Sequence, residues 1–153
     1  MTTKTKTTMK THKLQVRWMI RRDYHQVLEI DERCFDDGIP EDVLTEIIRE
    51  SGTTGVVIER GREILGYMIY NLRQEFTFLE RIAIDTQHQR QGLGTLLIDR
   101  LKERLSPQSR GFIQAAVDEY DVGSQLFFSK LGFLAIDQDM INSRSYYIME
   151  FYP

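Results

Sequence analysis

Leu79-Glu80-Arg81-Ile82-Ala83-Ile84-Asp85-Thr86-Gln87-His88-Gln89-Arg90-Gln91-Gly92-Leu93-Gly94-Thr95-Leu96-Leu97 is the most informative stretch of the chain. It reads as a strand, a short polar turn, and two glycines at the opening of a helix. Alternation over residues 76–85 puts Phe76, Phe78, Glu80, Ile82 and Ile84 on one face and Thr77, Leu79, Arg81 and Ala83 on the other. Past the turn the period changes. Leu93, Leu97, Leu101 and Leu105 recur every fourth residue, which predicts a helix of about 15 residues ended by Pro107. Such a turn is an anion site. The first N–H groups of the helix point outward, the helix dipole favours negative charge, and Gly92 and Gly94 allow close approach to the backbone. Arg90 adds a guanidinium, so a phosphate-bearing ligand suits the site. A Walker loop would need lysine after its last glycine, where Thr95 stands, and a dinucleotide fingerprint would need glycine at Leu97. Taken alone, Gly-x-Gly is equally an ordinary tight strand–helix turn.

Outward from this stretch the pattern is regular. Residues 14–20 alternate as a strand, and 24–35 form a helix with Val27, Leu28, Ile30 and Cys34 on one face. Pro40, Glu41 and Asp42 open a second helix that Ser51-Gly52 stops. Two apolar runs, 55–59 and 64–72, flank Arg60-Gly61-Arg62-Glu63, a hairpin signal. Residues 111–117 read as a buried strand. Residues 121–131 read as a helix with Leu126, Phe127 and Leu131 toward the core and Gly132 as its cap. Strands at 133–137 and 146–152 close the chain, the latter as an internal hairpin or as a strand paired across a homodimer. The order is β-α-α-β-β-β-α-β-α-β-β.

The chain has 153 residues, 41% of them apolar and 28% charged, the composition of a globular domain with a sizeable core. We expect one domain over residues 14–153 behind a flexible Thr/Lys-rich leader, 1–13, too poor in apolar residues to order itself. No apolar run approaches the roughly 18–20 residues of a membrane span, and the start is not a secretory signal. One cysteine, Cys34, makes neither an internal disulfide nor a Cys-rich zinc site, so a cytoplasmic home is expected. The net charge of −3 conceals four lysines in residues 1–13; the remainder sets 16 basic against 23 acidic residues, or −7. So acidic a domain does not suit a nucleic-acid backbone and suits a cationic partner.

Gln89-Arg90-Gln91-Gly92-Leu93-Gly94 matches the Q/R-x-x-G-x-G/A motif, and the chain resembles the GNAT superfamily of acyl-CoA-dependent N-acetyltransferases. Asp121-Val122-Gly123-Ser124-Gln125-Leu126-Phe127-Phe128-Ser129-Lys130-Leu131-Gly132-Phe133 resembles a second signature, N-x-x-A-x-x-L-Y-x-x-x-G-F, with the spacing of the ribosomal-protein-alanine (RimI-like) N-terminal acetyltransferases. The resemblance implies an α/β (α+β) fold, a mixed central sheet of six or seven strands flanked by four helices. It implies acetyl-CoA as acyl donor. Ile82, Ala83 and Ile84 would bond the pantetheine arm and the acetyl carbonyl through the backbone, and Gln89, Arg90, Gln91, Gly92, Leu93, Gly94 and Thr95 would hold the pyrophosphate. Asp121, where the family has asparagine, with Ser124, Phe127 and Phe128, would complete the cofactor site.

The implied reaction is attack of a neutral amine on the thioester, which needs a base for the amine proton and gains from an acid near the departing thiolate. In the ribosomal type these are a glutamate and a tyrosine. Here those positions hold Ala116 and Phe128. Glu80 is the substitute base, set against a solvated strand residue. Asp118 and Glu119 could position a water or simply cap a helix. Tyr120 is the substitute acid, with Tyr146 and Tyr147 behind it. His12, His25 and His88 lack metal-ligand spacing. His88 beside the turn reads as a solvating residue, Trp18 as core, and Cys34 as helix packing. The acceptor would be a protein N-terminus or another primary amine, drawn by Asp36, Asp37, Glu41 and Asp42. A small amine, or an acyl-CoA-binding module weakened by Ala116 and Phe128, are the competing readings.

Overall fold

The computed structural model describes residues 12–153; the leader expected at 1–13 falls almost wholly outside them. Eleven regular elements follow in the expected order: β1 Leu14–Trp18, α1 Tyr24–Cys34, α2 Glu41–Arg49, β2 Thr53–Arg60, β3 Glu63–Leu72, β4 Phe76–Ile84, α3 Leu93–Lys102, β5 Phe112–Asp118, α4 Val122–Lys130, β6 Leu134–Ile141 and β7 Arg144–Phe151. They build one seven-stranded sheet in the order β1-β2-β3-β4-β5-β7-β6. Each neighbouring pair is antiparallel except β4–β5, which is parallel and joined through α3. This is the mixed sheet with four helices that the sequence implied. Among the described residues no helix is long and apolar enough to cross a membrane.

Two apolar layers sandwich the sheet. On one face α1 and α2 bring Val27, Ile30 and Leu44 against Val57, Tyr67, Ile69 and Ala83. On the other, Leu93, Leu97, Ile98 and Leu101 of α3 and Phe128 of α4 pack on Leu65, Leu79, Ile113, Ala115 and Val117. The leucine repeat therefore faces the core as read. The helix ends at Lys102, well before Pro107, because the chain turns at Glu103–Arg104 to let Leu105 fold back against the same core. The two closing strands run longer than expected, meeting in a turn where Asn142 and Ser143 both take positive φ. β7 lies between β5 and β6, so an internal hairpin accounts for it and its edges are not free for a partner.

Two expected core residues are not core. Trp18 is 68% exposed at the end of the edge strand β1, because α3 lies over β3 and β4 and leaves this flank of the sheet uncovered. Leu126 is 57% exposed, since the neighbouring phenylalanines of α4 take the inward positions.

Candidate active site

The parallel β4–β5 ladder is short. It runs from Phe76 opposite Phe112 to Leu79 opposite Ala115 and stops there, although both strands continue. Arg81–Ile84 stay paired with β3, while Ala116–Asp118 stay paired with β7. The strands part and leave a wedge. A cavity of about 1170 Å³ occupies it, lined by Glu80, Arg81 and Ile82 on one side and Ala116, Asp118 and Tyr120 on the other.

A bulge sets the direction of β4 here. Ile69 of β3 faces Arg81 and the next residue, Tyr70, faces Leu79, so Glu80 has no opposite residue. The extra residue breaks the expected alternation. Leu79, Ile82 and Ile84 all pack on the α3 side, whereas Arg81 and Ala83 face α1. Strict period two therefore fails at Glu80, the unpaired residue between Leu79 and Arg81. The N–H of Asp85 donates to Leu65 O at 2.8 Å on the β3 side. By alternation the N–H and C=O groups of Ile82 and Ile84 point away from β3; Ile82 lines the wedge vacated by β5, while the Ile84 carbonyl is already taken by Gln89 Nε2 and the Cys34 thiol. Ala83 is 7% exposed, bonds β3 and packs under α1.

The turn after β4 is held from several sides. His88 N donates to Asp85 O at 2.8 Å, Arg33 bonds Asp85 at 3.1 Å, and Gln89 Nε2 donates to Ile84 O at 3.0 Å. His88 does more than solvate: its ring meets Glu63 at 3.0 Å and ties the turn to β3. Arg90 and Gly92 both take positive φ, 64° and 79°, which directs the following N–H groups outward as α3 begins. A Cβ built on Gly92 would have no atom within 4 Å, so the space beside it is open. A Cβ on Gly94 would meet the Phe127 ring at 3.0 Å, so that glycine allows α3 and α4 to approach. Leu93 is buried in the core and offers only its backbone. The open cradle, the outward N–H groups and Arg90 fit a pyrophosphate, and the wedge beside them fits a slender arm.

Asp121 caps α4. Its carboxylate accepts from Ser124 N at 3.0 Å and Ser124 Oγ at 2.6 Å, and both residues line the cavity. Phe128 is 5% exposed, edge-on to Phe127 and Phe133, and reaches the cavity with Ala116. The two positions where the ribosomal type carries its acid and base thus line the site without a titratable group. Glu80 lines it with one. Glu80 is solvent-exposed, and its partial desolvation raises the carboxyl above its ordinary value, with Glu50 raising it further and Arg73 opposing. Tyr120 sits at the rim, 85% exposed, in a turn fixed by Asp118. Tyr146 also lines the cavity.

One cluster escaped the sequence reading. Asp31 of α1, 1% exposed, accepts from Arg81 Nε at 2.6 Å, from Ile39 N at 2.7 Å and from the Tyr67 hydroxyl. Arg81 also donates to Asp37 O at 3.1 Å and stacks on the Phe35 ring at 3.9 Å. Burial works against the Arg81 charge, but Asp31 prevails and holds its pKa above the usual value. Burial and Asp31 together push the Tyr67 phenol up. The cluster pins the α1–α2 loop against the bulge. Its signal was an acid, Asp31, on the apolar stripe of α1 beside Val27 and Ile30.

That loop forms one wall of the mouth. Asp36 and Asp37 line the cavity, while Glu41 and Asp42 lie outside its lining in the first turn of α2. Arg144, the first residue of β7, reaches Asp37 at 3.6 Å and Asp118 at 4.0 Å across the opening. Cys34 is half-buried in the same wall. Its thiol donates to Ile84 O at 3.2 Å, and burial, Asp85 and Asp31 raise its pKa, which opposes use as a nucleophile. His25 lies apart, 85% exposed at its side chain and paired with Glu29.

The chain belongs to the acetyltransferase (GNAT) family, whose model matches residues 21–133. Its fold is that of several solved N-acetyltransferases. The ribosomal-protein-S18-alanine N-acetyltransferase of Escherichia coli superposes with a TM-score of 0.80 at 16% identity, over 92% of this chain and 94% of that one. Ard1 of Thermoplasma volcanium gives 0.81 at 16%, over 91% and 97%. Naa50 of Arabidopsis thaliana, solved with the bisubstrate analogue CoA-Ac-MVNAL, gives 0.73 at 14%, over 90% and 97%. No curated protein sequence matches the chain. As a family member it is an acetyltransferase, and acetyl-CoA is its acyl donor.

Proposed function

We propose that this enzyme acetylates the N-terminal amine of a polypeptide in the cytoplasm, with both substrates bound together in the wedge between β4 and β5. The parting of these strands beyond Leu79 and Ala115 carries the reading, because it opens a cavity with an acidic mouth beside β4, the strand that leads directly into the anion turn. Acetyl-CoA supplies an activated thioester there. The outward N–H groups from Gln91 to Thr95 and the Arg90 guanidinium hold its pyrophosphate. The backbone groups of Ile82 and the N–H of Ile84 align its arm as the missing strand of the ladder would. An N–H of this edge faces the acetyl oxygen and stabilises the negative charge that develops on it. Asp121, Ser124 and Phe128 form the opposite wall, and Phe127 packs behind it against Gly94.

Asp36, Asp37, Asp118 and Glu119 give the mouth a negative potential that draws a protonated amine. Glu80 takes the proton, directly or through a water, and its raised pKa makes it a better base than an ordinary carboxylate. Tyr120 at the rim is the acid facing the departing thiolate. Positioning and backbone electrostatics supply the remainder, which allows Ala116 and Phe128 at the positions where related enzymes carry side-chain acids and bases.

A small amine is the second reading. It is favoured by the Arg144–Asp37 bridge, which narrows the mouth. A panel of N-terminal peptides, lysine peptides, polyamines and amino sugars, assayed by mass spectrometry with acetyl-CoA, separates the two. Transfer to the peptide α-amine is expected. Transfer to polyamines or amino sugars alone overturns the peptide reading. Tight cofactor binding without transfer to any acceptor leaves a binding module.

A further inference from the structure

A second cavity, of about 680 Å³, lies on the opposite flank of the sheet and shares no lining residue with the first. Its origin is the narrow reach of α3, which covers β3 and β4 but not β1. The trough left between them has a floor of Val56, Met68 and Tyr70, all buried at 6% or less. Val16 and Trp18 of β1 face the same way, since they pair with Ile58 and Val56 of that layer. The far wall is Arg100, Glu103 and Arg104, at the end of α3 and in the turn beyond it.

Two features separate this trough from a casual surface dip. Trp18 and Ile20 stand at its rim 68% and 46% exposed, and the Trp18 backbone is fixed by Arg17 Nη1 at 3.0 Å, so a flat apolar face is displayed from a rigid strand. Its charge is also opposite in sign to the chain's. Arg22, Arg100 and Arg104 line it, and among the described residues none of the three forms an ion pair. Arg17 is already committed, bonded to Asp23 at 2.7 Å and Glu59 at 3.0 Å, and Glu103 is the single acid of the lining. A protein with net charge −3 thus gathers unpaired arginines around an apolar floor.

We propose that this trough is a binding site for a small organic anion with a flat apolar body, such as an aromatic carboxylate, sulfonate or phosphate. The ring system would lie on Val56 and Met68 against the Trp18 indole. Its anionic group would meet the Arg100 and Arg104 guanidinia, whose planar forks suit such oxyanions. The volume is within the range of small-molecule sites. The site does not depend on which acceptor the enzyme uses.

Trp18 is the only tryptophan of the chain, so its fluorescence reports on this flank directly. Anilinonaphthalene sulfonate, an anionic aromatic dye, is titrated into the full chain while Trp18 emission is read. Quenching with energy transfer to the dye is expected, and saturating acetyl-CoA leaves the dye affinity unchanged. The double variant Arg100→Glu, Arg104→Glu is expected to weaken the dye by about tenfold or more. The uncharged analogue N-phenylnaphthylamine binds native and variant alike. The milder pair Arg100→Gln, Arg104→Gln, with a native melting temperature, keeps the result free of misfolding. Equal dye affinity in native protein and both arginine variants overturns the proposal. So does displacement of the dye by acetyl-CoA, which places it in the other cavity, and so does the absence of binding.

Discussion

The two halves of the β4–β5 pair differ in what their residues are for. From Phe76 to Leu79 the strand is bonded on both sides, and its neighbour β5 contributes Ile113, fully buried, and Ala115, 2% exposed. From Glu80 to Ile84 the same strand has lost one neighbour. Its residues include a carboxyl raised by partial desolvation, an arginine clamped to a buried aspartate and backbone groups aimed into a cavity. The first half spends its hydrogen bonds on the fold. The second has no strand on that side: Gln89 and Cys34 take the Ile84 carbonyl, and the Ile82 groups are left for a ligand that completes the ladder. The bulge at Glu80 is the boundary, because one extra residue bends β4 and turns Glu80 out of the alternation.

If the open half is chemical, its largest response is to Glu80→Gln. The amide keeps the shape and removes the base, so turnover should fall by about 10²–10⁴-fold with acetyl-CoA affinity retained. The sign of the pH dependence follows from the raised pKa. Only the carboxylate accepts a proton, so native activity falls as the pH drops through the Glu80 value, which lies above the ordinary carboxylate value. The variant's profile should lack that acid limb. Native turnover in Glu80→Gln would remove Glu80 from the mechanism.

The paired half should respond in stability instead. Ile113→Ala deletes a fully buried side chain opposite Thr77 and should cost about 2–5 kcal/mol in denaturant unfolding, for lost burial and the cavity left behind. The protein that remains folded should bind acetyl-CoA with native affinity. A large loss of affinity in the folded fraction would mean that the two halves are not separable.

Gly92→Ala probes the junction at lower cost. The new methyl meets nothing, so only the φ of 79° resists it, worth about 1–2 kcal/mol for an L-residue. Relief of that strain would rotate the N–H groups at the start of α3, so weaker acetyl-CoA binding by calorimetry is expected, with the melting temperature little changed. The reverse pattern, native affinity and lower stability, would make the glycine a folding device only.

Most of this geography was legible as sequence because it rests on local periodicities. The leucine repeat of α3, the glycines of the turn and the hairpin at Gly61 each encode their own element. The switch from period two to period four at residues 85–93 placed the anion turn. Three features were not legible. The bulge at Glu80 depends on the register with β3, a pairing between residues that do not adjoin in sequence. The Asp31–Arg81 clamp is likewise long-range: Asp31 on the apolar stripe of α1 signals a buried acid, but nothing local names Arg81 as its partner. Trp18 read as core because a tryptophan on a strand usually is. Its exposure follows from how far α3 extends, a tertiary fact.

The smallest effect is expected at the rim. The Tyr120 side chain is 85% exposed and in contact with water, which can itself donate a proton to the departing thiolate. Tyr120→Phe should therefore slow turnover by less than about tenfold, below the usual range for a buried acid. The effect should appear in turnover and not in acetyl-CoA affinity, since the hydroxyl is far from the pyrophosphate turn in role as well as in chain position. A drop of the size expected for Glu80→Gln would mean that the turn at Asp118–Asp121 folds inward over the bound substrates and carries Tyr120 out of solvent. No change at all, combined with a slower Tyr146→Phe enzyme, would move the acid to β7, the strand that stays bonded to β5 where β4 departs.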